Sequence, residues 1–345
     1  MRSRFVLPVS LLATLSLAAA CDDSSGRFPA RLTGDFSHPM DATLRMNQLQ
    51  MLATHNSYHV RLEPSPIPDW DYYFEPLATQ LGSEGIRGLE LDVHYVDDGT
   101  TPPHYEVFHV GGLDAGTTCQ LFDDCLAEIR KFSDAHPGHH PLFVQIELKE
   151  PTAASVTLDM LDLLDDQIRA VFSDSILVTP DQVRGTHPTL REAIATDGWP
   201  TLAVARGRTM FAFDCERSVC LAYANGGTGL DGRVIFADSE PTDPFAAVMI
   251  HNSPDANATS LVQQGFFVRV FADSAADVLT GQGDDLAAAL ASGAQVVSTD
   301  FPVARPDTTY VASIPGGTPS RCNPVLAPSG CSSTDIENPA YLGGH

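Results

Sequence analysis

Short strand-like runs recur along the chain and alternate with helix-patterned stretches. Each run is rich in Val, Ile, Leu and Phe, as buried strands are. The runs cover residues 50–53, 89–93, 142–148, 202–205, 210–213, 247–250, 267–271 and 296–298. In the stretches 121–132 and 156–172, apolar residues repeat every three or four positions, which predicts helices. Alternating strands and helices predict a parallel sheet, and about eight repeats predict a single-domain α/β fold, a TIM-type (β/α)8 barrel that can be distorted.

Two of these runs carry charged side chains. Glu90 and Asp92 lie in LELDV, while Glu147 and Lys149 lie at the end of LFVQIELK. Side chains two residues apart on a strand share a face, so each pair points the same way. Charges in an apolar interior are very costly unless they bind something, and a divalent cation is the simplest partner. A solvated surface charge is the alternative for any one of these acids.

An amide and two histidines accompany the acids. The predicted metal ligands are Asn56, Glu90, Asp92 and Glu147. This all-oxygen set favours Ca2+ or Mg2+ over zinc, and its mixture of carboxylates and an amide favours Ca2+ over Mg2+. The chain has 12 histidines. His55 and His109 stand out because each follows a strand-like run, in THNSY and FHVGG.

The segments LATHNSYH, EGIRGLELDVH, EVFHVGG and CLAEIRKFSDAHPGHHP, followed by LFVQIELK, form a recognisable series. This series resembles the catalytic X region of phosphoinositide-specific phospholipase C, in particular its compact, Ca2+-dependent bacterial branch. The likeness is dense over residues 50–149 and thin afterwards. It implies that His55 stabilises the charged phosphoryl transition state and that His109 protonates the departing diacylglycerol oxygen. It also implies that the four ligand residues hold Ca2+, with one acid helping to deprotonate the inositol 2-hydroxyl.

The expected function is therefore that of an exported, Ca2+-dependent phosphodiesterase. It would cleave phosphatidylinositol to diacylglycerol and a cyclic inositol phosphate by metal-assisted general acid/base catalysis. A glycerophosphodiester phosphodiesterase, or a related lipase D-like enzyme of the same barrel superfamily, is the first alternative. Those enzymes usually carry His-Arg where this chain has His55-Asn56. A catalytically silent barrel that binds lipid headgroups or Ca2+ at the cell envelope is the second, although a pure binder has no need for a general acid.

Several further residues are candidates for substrate contact. Barrel active sites lie at the carboxyl ends of the strands, where all six residues discussed above are expected. The candidates are Lys149, Arg206, Arg269, Asp273 and Asp300. A structural salt bridge would explain Arg269 and Asp273 equally well. Asp214, beside a cysteine, is open between helix capping, headgroup contact and no role.

The first 20 residues predict export. Arg2 and Arg4 precede an apolar run over residues 5–17, and Ala-Ala-Ala-Cys follows. This segment is too short for a transmembrane helix and is typical of a signal peptide. Cys21 allows two outcomes, either acylation as a bacterial lipoprotein or ordinary cleavage after Ala20. We expect residues 21–47 to form a flexible tether, 48–314 the barrel and 315–345 an irregular, disulfide-pinned tail.

Six cysteines beyond Cys21 fall into three close pairs. In an exported chain such pairs predict the disulfides Cys119–Cys125, Cys215–Cys220 and Cys322–Cys331. A zinc site is the rival interpretation, but no pair has CxxC spacing.

The net charge limits the partners. It is -24, and removal of residues 1–20, with their two arginines, changes it to -26. Nucleic acid is thereby excluded, and an anionic membrane would repel the protein. We expect a monomer without a transmembrane span that acts on a phospholipid, or another phosphodiester, at a membrane surface.

Overall fold

A curled sheet lies at the centre of the computed structural model, which describes residues 27–29, 38–316 and 319–337. The predicted signal peptide and Cys21 lie outside the described residues. The strands are β1 (Leu49–Thr54), β2 (Gly88–Val96), β3 (His104–Val107), β4 (Leu142–Leu148), β5 (Leu177–Val178), β6 (Thr209–Asp214), β7 (Phe236–Ala237), β8 (Val248–Ile250), β9 (Phe267–Phe271), β10 (Val296–Thr299) and β11 (Ser320–Cys322).

Eight of these strands are arranged as a barrel. Parallel neighbours run in the order β6-β4-β2-β1-β10-β9-β8, and β7 pairs in parallel with β6. One parallel bridge, from Asp238 just after β7 to Val248 of β8, joins the two ends. The predicted fold class, a distorted TIM-type barrel, is confirmed.

The helices cover the outside of the sheet. They are α1 (Leu77–Gly82), α2 (Phe122–Ala135), α3 (Leu158–Val171), α4 (Pro180–Arg184), α5 (Leu190–Thr196), α6 (Leu202–Ala205), α7 (Arg217–Tyr223), α8 (Ala256–Gln263), α9 (Ala275–Thr280) and α10 (Leu286–Ser292). α3 begins after Thr157, whose side chain accepts a hydrogen bond from the Met160 amide, and it buries Leu161, Leu164 and Ile168 at helical spacing. Among the described residues, no helix combines the length and apolar character needed to cross a bilayer.

Two parts of the predicted architecture are wrong. Residues 202–205 form α6 rather than a strand, with the Ala205 amide donating to the Thr201 carbonyl at 2.9 Å. A four-residue apolar run fits a buried helical turn as well as a strand, and in this segment the hydrogen bond of a helical turn forms. The barrel strand that follows β6 is instead β7, only two residues long. The predicted irregular tail also contributes a strand, because β11 pairs antiparallel with β1.

Strand register brings the acidic residues together. β2 and β4 are parallel neighbours, with Asp92 opposite Glu147 and Glu90 opposite Gln145. β6 continues the series, with Asp214 opposite Glu147. Register partners share a face of the sheet, so these side chains meet at the carboxyl ends of the strands.

The three predicted disulfides are present. Cys119–Cys125 ties the loop before α2 to the first turn of that helix, and Cys215–Cys220 ties the end of β6 to α7. Cys322–Cys331 ties the end of β11 to the segment after it. The disulfide prediction is confirmed for every cysteine that the structure describes.

Candidate active site

Three carboxylates from β2 and β4 form the centre of the site. Oxygen atoms of Glu90, Asp92 and Glu147 lie within 4.8 Å of one another. Glu90 and Asp92 are buried, whereas the Glu147 side chain is one-third exposed. Burial raises the pKa of Asp92 well above its usual range; Lys149 opposes that rise, while Glu147 and Glu90 add to it. The cluster therefore carries more negative charge than its surroundings easily stabilise.

Asn56, just after β1, adds a fourth oxygen. Its φ of 47° is in the left-handed region, which Asn tolerates better than most residues. The Nδ2 atom donates to the Tyr72 hydroxyl at 2.8 Å, which leaves Oδ1 facing the Asp92 carboxylate oxygens at 3.0 and 3.3 Å. Facing oxygens repel unless a cation lies between them or the amide turns over to donate to Asp92. This donor set fits a hard divalent cation such as Ca2+.

Two basic side chains pair with the acids. Lys149 Nζ lies 3.2 Å from Asp92 Oδ2 and 2.6 Å from Glu147 Oε1. Burial alone would lower the pKa of Lys149, but the two carboxylates raise it above its usual value. Arg269 Nη2 donates to Glu90 Oε2 at 2.8 Å, and its Nη1 donates to Asn252. The alternative of an Arg269–Asp273 salt bridge is wrong, because Arg269 pairs with Glu90 instead.

His55 follows β1 and pairs with Asp300. Its Nδ1 lies 2.9 Å from Asp300 Oδ1, and its ring contacts Phe271 edge-on. Burial acts to lower the pKa of His55, but the charge of Asp300 and its hydrogen bond outweigh burial and raise the pKa to about 9. Asp300 is held in turn by Asp273, whose Oδ1 accepts from the Asp300 amide at 2.8 Å. His55 is therefore an imidazolium at neutral pH.

His109 lies on the loop after β3 and pairs with Asp114. Its Nδ1 is 2.8 Å from Asp114 Oδ2, and the same oxygen is 2.8 Å from Nε2 of the buried His59. The Trp70 ring meets the His109 ring edge-on at 5.2 Å. Burial lowers the pKa of His109; Asp114 opposes this, whereas Lys149 and His59 reinforce it. The pKa of His55 is thus raised and that of His109 is lowered, although the Nδ1 atom of each ring pairs with a carboxylate.

The geometry can be compared with known proteins. The family model for phosphoinositide phospholipase C, Ca2+-dependent, matches residues 96–324, about two thirds of the chain. The chain belongs to this family. The expectations of a phospholipase C and of an enzyme that hydrolyses phosphodiesters are confirmed. The matched range includes His109 and Glu147 and begins after His55, Asn56 and the acids of β2.

Solved structures of phospholipases C share the fold. A calcium-dependent phosphoinositol-specific phospholipase C from a Gram-negative bacterium, Pseudomonas sp., is 19% identical, with a TM-score of 0.59 over 85% of this chain and 100% of that one. A Ca2+-dependent enzyme from Streptomyces antibioticus is also 19% identical, with a TM-score of 0.57 over 75% of this chain and 96% of that one. At this identity the likeness shows the fold alone. Comparison with curated proteins finds no match.

Several residues of this candidate site were not predicted. Asp114 holds His109, His59 holds Asp114, and Gln145 Nε2 donates to Asp214 Oδ2 at 3.0 Å. Burial, with Glu147 and Glu90 adding to it, raises the pKa of Asp214 to about 7. One signal for Asp114 was available, because the Gly-Gly turn after His109 returns the chain within five residues. The partner of His59 lies 55 residues away, so its role depends on tertiary structure.

Three predicted substrate contacts are placed differently from expectation. Arg206 lies just before β6, at the amino end of the barrel, where Asp41 accepts from it at 2.6 and 2.7 Å. It is buried and far from the carboxyl ends of the strands, so the prediction for Arg206 is wrong. Asp300 contacts His55, and Asp273 contacts Thr299, Tyr310 and the Asp300 amide. In the candidate site Asp300 orients His55, and Asp273 orients Asp300.

Proposed function

We propose that the protein is an exported, Ca2+-dependent phosphatidylinositol-specific phospholipase C. The reaction would yield diacylglycerol and a cyclic inositol phosphate. The observation that carries the proposal is the pair of histidines beside the oxygen cluster, each held at Nδ1 by a buried carboxylate. That arrangement supplies one fixed cation and one proton donor around a site for a hard metal ion.

Asn56, Glu90, Asp92 and Glu147 would hold Ca2+. When bound, the ion neutralises phosphoryl oxygens and lowers the pKa of a coordinated hydroxyl. Lys149 and Arg269 stand beside the same acids and keep part of their charge balanced. We therefore assign both residues to balancing the charge of the acidic cluster instead of to the predicted role in substrate binding. Lys149 is the more exposed of the two.

The reaction needs an acceptor for the proton of the inositol 2-hydroxyl. Glu147 is the most exposed of the three carboxylates, and we assign this role to it. The hydroxyl oxygen forms a bond to phosphorus, and the bond from phosphorus to the glycerol oxygen breaks. His55, held as an imidazolium by Asp300, stabilises the negative charge that develops on the phosphoryl oxygens.

His109 would donate a proton to the departing glycerol oxygen. That oxygen receives the electron pair of the broken bond, and protonation yields diacylglycerol. Asp114 orients the ring through Nδ1, which leaves Nε2 for the leaving group. Because the pKa of His109 is lowered, its acid form is a minority at neutral pH, and turnover of the lipid should fall as pH rises through that pKa.

One experiment tests the substrate and the metal together. Phosphatidylinositol and glycerophosphoinositol are each incubated with the protein in Ca2+, Mg2+ or EDTA, and phosphorus NMR identifies the products. We expect a cyclic inositol phosphate from the lipid with Ca2+ and no turnover in EDTA. Faster cleavage of glycerophosphoinositol would favour the glycerophosphodiesterase alternative.

Export remains part of the proposal. Residues 1–20 and Cys21 would direct the chain across a membrane, followed by acylation of Cys21 or release. Intact mass of natively expressed protein tests this. A diacylglyceryl group on the first peptide supports the anchor, an unmodified start at Cys21 or Asp22 supports release, and a retained Met1 in the cytosol contradicts both.

A further inference from the structure

Three side chains around the proposed general acid converge on one point. Asp114 Oδ2 lies 2.8 Å from His59 Nε2 and 2.8 Å from His109 Nδ1. Potential ligand atoms of the three residues all lie within 4.8 Å of one another. Among the described residues, the acids of β2 and β4 form the only other such group of His, Cys, Asp or Glu side chains. We name His59, Asp114 and His109 the nitrogen cluster, because two of its three ligand atoms are imidazole nitrogens.

The hydrogen bonds of His59 decide which of its nitrogens is open to a ligand. Its Nδ1 lies 2.9 Å from the Tyr72 carbonyl oxygen, which can only accept, so Nδ1 carries a proton. A neutral ring has no second proton, and Nε2 then presents its lone pair to Asp114 Oδ2. Two acceptors so close repel each other unless an additional proton or a metal ion lies between them. A backbone carbonyl on one nitrogen and a lone pair on the other is the usual arrangement of a metal-ligating histidine.

The carboxylate of Asp114 has an oxygen to spare. The side chain is fully buried, and its Oδ1 has no hydrogen-bond partner among the described residues. A buried carboxylate oxygen without a partner costs free energy, and a cation held by the same carboxylate would offset that cost. The ring of His109 is 16% exposed, whereas the ring of His59 is fully buried. An ion can therefore reach the nitrogen cluster from the His109 side.

We propose that the nitrogen cluster binds Zn2+ and that this ion inhibits the enzyme by occupying its general acid. Two imidazoles and one carboxylate suit Zn2+, whereas the all-oxygen set of β2 and β4 suits Ca2+, so the two sites select different metals. Zinc bonds of about 2.0–2.1 Å to tetrahedrally placed ligands separate the ligand atoms by about 3.3 Å. The two 2.8 Å contacts of Asp114 must therefore lengthen by about 0.5 Å when the ion enters.

Binding would exchange one proton for one metal ion. The lone pairs of His59 Nε2 and His109 Nδ1 go to zinc, and the proton between His59 and Asp114 leaves to solvent. The proton of a neutral His109 moves from Nδ1 to Nε2, and with Nδ1 on zinc the ring cannot take up a second. The imidazolium that protonates the leaving group then no longer forms. This inhibition rests on the proposed function, whereas the binding of zinc does not.

Calorimetry with Zn2+ in saturating Ca2+ tests the binding. Every protein carries Cys21→Ser, so that a free thiol cannot bind zinc. The parent should bind one Zn2+ and release about one proton, which buffers of different ionisation enthalpy reveal. His59→Gln keeps an amide donor for Asp114 but removes a nitrogen ligand, so it should weaken Zn2+ binding at least about tenfold. Its affinity for Ca2+ should equal that of the parent, which shows that the barrel is folded.

Two control variants separate this site from other sites on the chain. Asp92→Asn alters the oxygen ligands of β2 and should leave the affinity for Zn2+ unchanged. His187→Gln removes a histidine that also pairs with an aspartate, Asp197, at 2.9 Å but belongs to no group of three ligands. It should bind Zn2+ as the parent does. If His59→Gln fails to fold, Co2+ decides the matter in the parent protein, where a four-coordinate ion absorbs visible light strongly and a six-coordinate ion absorbs it weakly.

The kinetic test compares two substrates at fixed Ca2+. Zn2+ should inhibit turnover of phosphatidylinositol with a midpoint near the calorimetric Kd, and it should affect a nitrophenyl inositol phosphodiester much less, because that leaving group needs no proton. Equal inhibition of both substrates would overturn the inhibitory role. The site itself is overturned if the parent does not bind Zn2+, if His187→Gln weakens binding as much as His59→Gln, if Asp92→Asn abolishes it, or if Co2+ is six-coordinate. Zinc binding as described without cleavage of phosphatidylinositol would sink the proposed function and keep the zinc site.

Discussion

The two ends of the barrel differ in how completely their buried charges are paired. At the amino end, Arg87 donates to both oxygens of Glu337 at 2.6 to 3.1 Å, and Arg206 does the same to Asp41. Burial alone would raise the pKa of Glu337, but Arg87 and His140 lower it to about 2. At the carboxyl end, burial raises the pKa of Asp92, despite Lys149. The amino end satisfies its own charges, whereas the carboxyl end leaves negative charge for a ligand.

The largest expected effect is on catalysis at the carboxyl end. His109→Ala should lower turnover of phosphatidylinositol by about 10²- to 10⁴-fold, the usual contribution of a general acid. The loss should be much smaller on a nitrophenyl phosphodiester, whose leaving group needs no proton. His140→Ala, a buried histidine of the amino end, is the control and should retain kcat. Equal losses on both substrates would contradict the acid role, and full activity of His55→Ala would overturn the site.

The next effect is on stability at the amino end. Glu337→Gln leaves Arg87 buried without its counter-charge and should lower the free energy of unfolding by about 3–5 kcal/mol. Asp92→Asn, measured by urea unfolding in EDTA, should change it by less than about 1 kcal/mol or increase it, because that carboxylate is already disfavoured. If both variants lowered the free energy of unfolding equally, the two ends of the barrel would not differ in how they stabilise buried charge.

A smaller effect concerns Ca2+. Asp92→Asn should weaken Ca2+ binding at least about tenfold, since one charged ligand is lost, and should lower activity in parallel. Calorimetry measures the affinity, and Glu337→Gln should bind Ca2+ as the parent does. Unchanged affinity in Asp92→Asn would remove that residue from the metal site.

The smallest effect is on the pH dependence of stability in EDTA. Glu337 has a lowered pKa in the folded state, so its contribution is present above about pH 4.5 and is lost as pH falls towards 2. Asp214 and Asp238 have pKa values raised to about 7 and about 6 by burial, so stability falls as pH rises from about 4 to 7. Each of these changes in the free energy of unfolding is spread over about two to three pH units. Asp214→Asn should reduce the loss of stability between about pH 4 and 7 and leave the acid-side loss from Glu337 unchanged. If the loss between pH 4 and 7 is the same as in the parent, the pKa of Asp214 is not raised.

Much of this molecule could be predicted from local patterns. β4 and β9 have the bounds expected from their apolar runs. The acids of LELDV and LFVQIEL meet because strand periodicity and parallel register are local rules. β7 was missed because two residues carry no periodicity.

The partners of the charged residues could not be predicted in this way. Arg206 was expected to be free for a substrate, but its carboxylate lies 165 residues earlier in the chain. Asp300 was assigned to the substrate, because no local pattern joins it to a histidine 245 residues away. Sequence patterns show which residues point inward, but only the closed barrel shows which charged residues pair with one another.

The pairing of Arg87 with Glu337 has a consequence for when the chain can fold. The two residues are 250 positions apart, and β11 must also return to pair with β1. Contacts of such long range form late and slow the folding of a chain. A growing polypeptide that already contains the candidate site, up to Asp300, still has the Arg87 guanidinium in its interior with no counter-ion. The native barrel is therefore not stable until residues 320–337 have been synthesised, because both long-range contacts are missing before then.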